Sequence, residues 1–564
     1  MTPRIYKFRV KNYRSIGNYV HIDVPQKGPL VLIGENNAGK SNITRALDIV
    51  LGERWPGSIT LEDHDFFGRD PDGMEVKIQA AVTDLACPSC GGQVTHLTWA
   101  YDLQAEGDAT AYRYGCDSCS RTYPNKAISN ALTLIRIDAD RRLSYQLSYG
   151  SKYTLLSKLM HRFHEQLTRD DERKETLEEI FDALLHEFGQ VQQFQVFREL
   201  LAKTAESFGL DLSYRLDIDF SAYDPSNFFR SLRVHPKMDG EVRSFDELGT
   251  GQEQILALAF SYAYAKAFAA SEGLVLVIDE PEAHLHPAAQ QWLASQLDQL
   301  NADGLQVILT THSPLFVQMS RLQNIVLVRK PDGERTEVVQ LNPTELVARL
   351  VDRGADSSRT GVDTIGPFYE ASATVELKNA LFSRACVLVE GQTEAYALPA
   401  LLASAGCDLL REGVSVVSVE GMGNIAKWYR LFDAFEIPVY SIFDTDSNQA
   451  ASDSRNTRAK HEDIFAAMNL SIPAEWVADT VDVHDRYSTF DPTFEPAVSN
   501  FLGPAWDDLY AEAASTVGAS KALRARWAAQ RVEVPKEARV TLAKLGTAIL
   551  ALLSDPSAPS PTEH

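Results

Sequence analysis

A chain of 564 residues exceeds what one hydrophobic core accommodates, so about three or four domains are expected. With 45% hydrophobic and 23% charged residues, and no apolar run of the ~18 residues a membrane span needs, it reads as a cytoplasmic globular protein that does not engage a membrane. The formal net charge of −23 excludes nucleic-acid binding through bulk positive charge, but leaves room for a local Lys/Arg groove beside metal-binding carboxylates.

The first elements read as strand, loop and helix. Ile5-Tyr6-Lys7-Phe8-Arg9-Val10 is strand-like, and Leu30-Val31-Leu32-Ile33 is a short apolar strand. Gly34-Glu35-Asn36-Asn37-Ala38-Gly39-Lys40-Ser41 follows, then a helix to about Leu51. This is the G-x-x-x-x-G-K-[ST] spacing of a phosphate-binding loop. Gly34 and Gly39 let backbone N–H groups around Asn36 and Asn37 face the phosphates of ATP. Lys40 would reach the β/γ-phosphates, and the Ser41 hydroxyl would bind Mg²⁺.

Residues 76–84 and 131–148 look strand-like again. Between them, Cys87-Pro88-Ser89-Cys90 and Cys116-Asp117-Ser118-Cys119 enclose 25 residues suited to a β-hairpin. Two C-x-x-C turns, each offering two thiolates to one ion, predict a Zn²⁺ ribbon over 85–122. A closed shell of four thiolates has no open position, so its role is structural; the alternative is four reduced thiols. Cys386 and Cys407 lie in apolar segments as packed thiols.

From about Lys152 to Ser207 the apolar residues recur at helical spacing, as in Leu177, Ile180, Phe181, Leu184 and Leu185. They predict either a helical subdomain packed on the core or an antiparallel arm that pairs two protomers. Strands return at 213–220. Leu248-Gly249-Thr250-Gly251-Gln252 precedes a helix, and Leu274-Val275-Leu276-Val277-Ile278 is a buried strand ending in Asp279-Glu280. Asp279 would hold Mg²⁺ through water and Glu280 would orient the attacking water. Thr310-Thr311-His312-Ser313-Pro314 ends the next strand, placing His312 near the γ-phosphate.

Residues 341–383 form a polar, helix-leaning connector. Ala385 to Glu390 is a strand ending in a carboxylate, with Glu394 at the start of the following helix. Val414 to Val419 is a second strand ending at Gly421-Met422-Gly423, and Val439 to Phe443 delivers Asp444 and Asp446 on one face. Carboxylates gathered at the C-terminal ends of parallel strands make a Mg²⁺ site; the bland alternative is a solvated acidic loop. The remainder to about Leu553 is mostly helical, and 554–564 reads as a disordered tail.

Several of these motifs resemble known families. Leu248 to Gln252 resembles the ABC signature loop, in which Gly249 and Gly251 would read the γ-phosphate of a nucleotide held by a second subunit, so a homodimer or higher oligomer is implied. Gly249 stands where transporters carry Ser, which leaves Thr250 as the available hydroxyl. Val10-Lys11-Asn12-Tyr13-Arg14-Ser15-Ile16 resembles the DNA-associated ABC ATPases of the SMC and RecF kind. The order strand–Glu, strand–Gly, strand–Asp-x-Asp resembles the Toprim fold. An ABC head followed by Toprim in one chain resembles the OLD (overcoming lysogenization defect) family of nucleases, which includes the nuclease subunit of the Gabija antiphage system. The resemblance covers about residues 1–340 and 384–550.

That resemblance implies an α/β protein. An ABC-type ATPase head (1–150 and 211–340) is interrupted by the zinc ribbon and by a helical dimerisation insertion (151–210). A Toprim α/β domain with a helical C-terminal part follows (384–553). It implies two Mg²⁺ or Mn²⁺ ions held by Glu390, Glu394, Asp444 and Asp446, with Glu390 catalytic and Glu495 a later acidic ligand. Lys544 matches the lysine that stabilises transition-state charge; Asp491 competes with Glu495, and Lys536 with Lys544. The implied substrate is DNA, with RNA (tRNA) as the alternative, and the implied partner a helicase or other defence protein. The competing reading is a RecF- or SMC-like repair ATPase whose Toprim domain binds DNA without cutting it.

Overall fold

The computed structural model describes residues 2–52, 54–105, 109–120, 122–137, 273–302, 304–448, 451–478 and 480–553, with short pieces between 171 and 263. The chain divides into two compact units. Met1–Ala139, Ala269–Glu282 and His286–His564 form the first; Asp140–Phe268 with Ala283–Leu285 form the second. Most of the helical insertion, the strands expected at 213–220, and Gly249 and Gly251 lie outside the described residues.

Among its described residues, the first unit contains three sheets. In the first, Arg4–Lys11 (β1), Val20–Asp23 (β2), Val76–Thr83 (β4), Val94–Tyr101 (β5) and Thr110–Cys116 (β6) pair antiparallel in the order β2-β1-β4-β5-β6. Their residues alternate, so one face buries Phe8, Val10, Ile78, Trp99 and Tyr114 in a core shared with Ile43, Leu47 and Val50 of the helix Lys40–Leu51 (α1). Trp99 Nε1 donates to the Pro56 carbonyl at 2.9 Å and the Tyr112 hydroxyl to that of Val50 at 3.3 Å, so the buried polar tips are satisfied.

The second sheet runs β13-β12-β3-β11-β10-β7, built from Leu30–Ile33 (β3), Leu132–Ile137 (β7), Gly273–Asp279 (β10), Gln306–Thr310 (β11), Ile325–Arg329 (β12) and Glu337–Gln340 (β13). All pairs are parallel except the β12–β13 edge. Every residue of β10 is buried, as its unbroken Leu/Val/Ile run requires of a strand covered on both faces. The helices Lys126–Ala131 (α2) and Pro287–Ala302 (α3) belong to this part. In the second unit, Lys237–Met238 (β8) pairs with Glu241–Val242 (β9).

Residues 341–383 carry three helices, Pro343–Asp352 (α4), Val362–Ser372 (α5) and Val375–Ala380 (α6). The third sheet follows in the order β15-β14-β16-β18-β17: Ala385–Val389 (β14), Val414–Ser418 (β15), Val439–Asp444 (β16) and Tyr487–Phe490 (β18) are parallel, with Val481–Val483 (β17) an antiparallel edge. Its helices are Gln392–Ser404 (α7), Met422–Ala434 (α8), Ala451–Met468 (α9), Phe494–Leu502 (α10), Pro504–Val517 (α11), Lys521–Ala529 (α12) and Lys536–Ala551 (α13). The two parallel sheets are tied by polar contacts. Arg329 at the end of β12 forms an ion pair with Glu436 and donates to its carbonyl at 2.7 Å. Lys378 of α6 donates to the Val317 carbonyl at 3.0 Å, and Glu370 of α5 accepts from the Ser320 N–H at 3.0 Å. No described helix is long and apolar enough to cross a membrane.

Candidate active sites

The loop between β3 and α1 is held in a conformation that glycine and asparagine tolerate: φ is 142° at Gly34, 63° at Asn37 and 109° at Gly39. A Cβ at Gly39 would lie 2.2 Å from Thr336 Oγ1, so no larger residue fits there. Thr336 donates to the Ala38 carbonyl at 2.8 Å, and its hydroxyl lies 2.7 Å from Ser15 Oγ, which accepts from Asn42 Nδ2 at 2.8 Å. The loop is thereby braced from both sides. Lys40, 5% exposed, donates from Nζ to the carbonyls of Gly34 and Glu35 at 2.9 Å each. Burial lowers its pKa to about 8, against the opposing pull of Glu280, Glu282 and Asp279.

Asp279 ends β10 next to α1. Its Oδ1 accepts from Thr44 at 3.2 Å and Thr310 at 3.1 Å, and its Oδ2 from Arg136 Nε and Nη2 at 3.0 and 2.6 Å. Glu280 follows with φ 48°, its carboxylate 3.8 Å from His312 Nε2. The His312 N–H donates to Glu282 Oε1 at 2.5 Å, and burial followed by the charge of Lys40 lowers the imidazole pKa, favouring the neutral ring. The strand ends thus gather Lys40, Asp279, Glu280 and His312, with Ser41 in the first turn of α1.

A second constellation sits at the C-terminal ends of the third sheet. β14 and β16 are neighbours, with Val389 opposite Ile442, so Glu390 and Asp444 emerge side by side and the Asp444 N–H donates to Glu390 Oε1 at 2.7 Å. Glu394, buried in the first turn of α7, reaches back to accept from the Gly391 N–H at 3.1 Å, satisfying one of the free donors at the start of that helix. Burial, then Glu390, Glu394, Asp446 and Glu495 in turn, push the Asp444 carboxyl up to about 9. Burial raises Glu390 to about 7; the Asp444 N–H opposes the shift, Asp446 and Glu394 add to it, and Lys460 opposes it. Glu394 is raised by burial and by Glu495. Asp446 has φ 52° and anchors its N–H on the Pro492 carbonyl at 2.8 Å.

So many half-buried acids repel one another when ionised, and all of their ligating atoms are oxygen. Such a donor set fits hard divalent cations, which relieve that repulsion. Asp491 instead accepts from the Thr445 hydroxyl, so of the two later acids it is Glu495 whose charge acts on Glu394 and Asp444.

Lys544 donates from Nζ to the Val483 carbonyl at 3.0 Å, on an edge strand separated from β16 by β18. Lys536 is exposed at the start of α13. The lysine whose charge reaches Glu390 is Lys460 of α9, with its Cε 3.9 Å from the Cβ position of Gly423. Its neighbour His461 donates from Nε2 to the Asp444 carbonyl at 3.0 Å and packs against Phe443 and Trp476. Neither residue, nor Arg136, was singled out in the sequence. Arg136 lies in an apolar strand 143 residues from its partner, and Lys460 in a polar helix without a motif.

The four cysteines of the β5–β6 hairpin form the only group of three or more His, Cys, Asp or Glu among the described residues whose ligand atoms all lie within 4.8 Å of one another. Cys87 and Cys119 are 3.8 Å apart, Cys90 and Cys116 3.5 Å. The N–H groups of Gly92 and Ser118 donate to Cys90 and Cys116 at 3.4 Å each, and the Tyr114 hydroxyl lowers the Cys87 pKa to about 6.

Residues 381–446 match the model of the overcoming lysogenization defect protein-like TOPRIM domain, and residues 4–84 and 101–317 match that of the AAA ATPase domain, which leaves out 85–100. The OLD nuclease of Thermus scotoductus is 28% identical over 461 residues, spanning 78% of this chain and 81% of that protein. The Old nuclease of Escherichia phage P2 is 24% identical over 474 residues, 79% of this chain and 78% of that one. Among solved structures, an Smc head bound to the C-terminal winged-helix domain of ScpA aligns over 60% of this chain and 97% of its own, at 18% identity and a TM-score of 0.38.

Proposed function

The chain belongs to the OLD family, which joins an AAA ATPase domain to a Toprim domain, and from this we propose that it is an ATP-hydrolysing, Mg²⁺-dependent DNA nuclease. The observation that carries the reading is that burial and neighbouring acids, Asp446 and Glu495 among them, raise the carboxyls of Glu390, Glu394 and Asp444 at one set of strand and helix ends. A domain that only binds nucleic acid has no use for such repulsion.

Glu390, Glu394, Asp444, Asp446 and Glu495 would together hold the divalent ions. When bound, two such cations supply an activated water and stabilise the leaving oxygen. The protein's own contributions are positional. His461 fixes the backbone at Asp444, the Gly391 N–H fixes Glu394, and the left-handed backbone at Asp446 keeps its carboxylate close enough for its charge to act on Glu390 and Asp444. Lys460 supplies the positive charge beside Glu390 and is the candidate for stabilising an equatorial phosphate oxygen; Lys544 takes that role only if its ammonium leaves the Val483 carbonyl.

At the other site, the loop N–H groups and Lys40 would hold the ATP phosphates, and Ser41, with Asp279 through water, would hold Mg²⁺; Glu280 would orient the attacking water and His312 would stand at the γ-phosphate. A homodimer in which Gly249 and Gly251 of one subunit complete the nucleotide site of the other follows from the ABC-like order of the motifs. The four cysteines fit a structural Zn²⁺. We take the setting to be antiphage defence, for which family membership is the support. Two variants test the division of labour: Lys40→Ala loses ATP hydrolysis, and Asp444→Ala loses DNA cleavage while hydrolysing ATP at the parental rate. Loss of ATP hydrolysis in a folded Asp444→Ala would refute two separate centres.

A further inference from the structure

The antiparallel sheet has a second face, and its chemistry is unlike the rest of this acidic molecule. Opposite the residues that enter the core, the strands present Lys7, Arg9, Lys11, Lys77 and Arg113. The register sets them in rows across the sheet. Arg9 stands opposite Gln79, Gln79 opposite Thr98, and Thr98 opposite Arg113; Lys11 stands directly opposite Lys77. The only carboxylate on the strand residues of this face is Asp23, which is 3.4 Å from Lys7. Among the described residues, Arg9, Lys11, Lys77 and Arg113 have no carboxylate within ion-pair distance, and Arg9 Nε has no hydrogen-bond partner. Two like charges placed opposite each other, as Lys11 and Lys77 are, destabilise a sheet unless something neutralises them.

The flanking groups suit an anionic polymer. Arg9 and Lys11 lie 5.2 and 5.4 Å from the ring centroid of Tyr19, which is 38% exposed. The ring of His96 lies over Gly115, where a Cβ would meet it at 2.2 Å, so that row ends flat. Burial, then Lys7 and Arg9, lower the pKa of His21, and burial, then Arg9, lower that of His96, so both imidazoles sense one positive field. Of the two outer strands, all of β5 but Tyr101 falls in residues 85–100, which the ATPase match leaves out, while β6 lies within the match; Cys87 and Cys90 precede β5, and Cys116 follows Gly115 at the end of β6. The thiolate cluster therefore clamps the strands that carry Thr98 and Arg113.

We propose that this face is a binding tract for the phosphate backbone of duplex DNA, read by charge and without base contacts. Arg9 and Arg113 are three strand spacings apart, about 14 Å, and Lys7 to Lys11 covers about the same length along β1. A duplex presents about eight phosphate charges over such a length. Gln79 and Thr98 supply neutral donors between the cations. A protein partner would want a central apolar or aromatic anchor, and the middle of this face offers only Ala81, Ala100 and Ala111.

The test is equilibrium binding of a fluorescent duplex of about 30 base pairs to the full chain in EDTA, across a salt series, for the parent and for Lys77→Glu/Arg113→Glu. The double variant should bind at least about tenfold more weakly at low salt, with the slope of log K against log salt reduced by about two. Parental affinity and slope in the variant would overturn the proposal. So would a variant that changes only the association state of the chain in sedimentation, which would assign the face to a second copy. ATP hydrolysis at the parental rate certifies the fold. If it falls, Lys77→Gln/Arg113→Gln replaces the reversal pair and should show a smaller loss of the same kind; no loss there also overturns it.

Discussion

The Asp444 carboxyl, held near 9, and that of Glu390, held near 7, set the proton inventory of the C-terminal site. Both pKa values are raised, so the metal-free folded chain binds protons that the unfolded chain has released. Its stability from these groups is present below the ordinary carboxylate pKa and is lost as pH rises toward 7 and then 9. Divalent ions must displace those protons, so metal affinity should rise from pH 6 to about 9 with measurable proton release. Calorimetry in buffers of different ionisation heat checks this; pH-independent affinity without proton release contradicts it. Lys460→Gln removes the charge that favours ionised Glu390, so the rising limb of the pH–cleavage profile should move to higher pH and the rate fall by about tenfold to a hundredfold. Lys544→Gln should leave cleavage within a few-fold of the parent, because its ammonium is engaged by Val483. The reverse ranking of the two lysines would return the role to Lys544.

At the scale of elements, legibility tracks sequence distance. The phosphate loop, the Glu390–Glu394 pair and Asp444-x-Asp446 are local patterns whose spacing by itself places them on strand ends and first helical turns. What brings β14, β16 and α10 together is non-local, and so Arg136, Lys460 and His461 carried no signal. The alternation of β1 and β4 was readable, whereas the order β2-β1-β4-β5-β6 and its cationic face exist only once strands as distant as β1 and β6 share a sheet. The hairpin was legible through cysteine arithmetic, because a Cys₄ shell fixes both ends of the pair. Cys116→Ser should drop bound zinc from about one per chain to near zero and destabilise the hairpin by roughly 2 kcal/mol or more, as read by metal analysis and by proteolysis near β5. Retention of full zinc in that variant would sink the four-thiolate site. The Arg329–Glu436 pair joins β12 to the loop after α8, with both side chains mostly buried. Arg329→Ala should cost about 1–3 kcal/mol in urea unfolding, since it strands the Glu436 carboxylate.

At the scale of the molecule, an overall charge of −23 coexists with one sheet face that carries five cations and one acid. Bulk charge therefore says little about where a polyanion would sit. Both candidate constellations belong to the same compact unit, linked by helices α4 to α6 and by the Arg329 contact, so a change at the proposed nucleotide site has a packed route to the carboxylates. The most direct measurement is cleavage of supercoiled plasmid in Mg²⁺ or Mn²⁺, with and without ATP, by the parent, Asp444→Ala and Lys40→Ala. The account predicts metal-dependent cutting by the parent, lost by at least about 10³-fold in Asp444→Ala, and a response to ATP that Lys40→Ala no longer shows. Undiminished cutting by Asp444→Ala, or none by a parent that hydrolyses ATP, would contradict it.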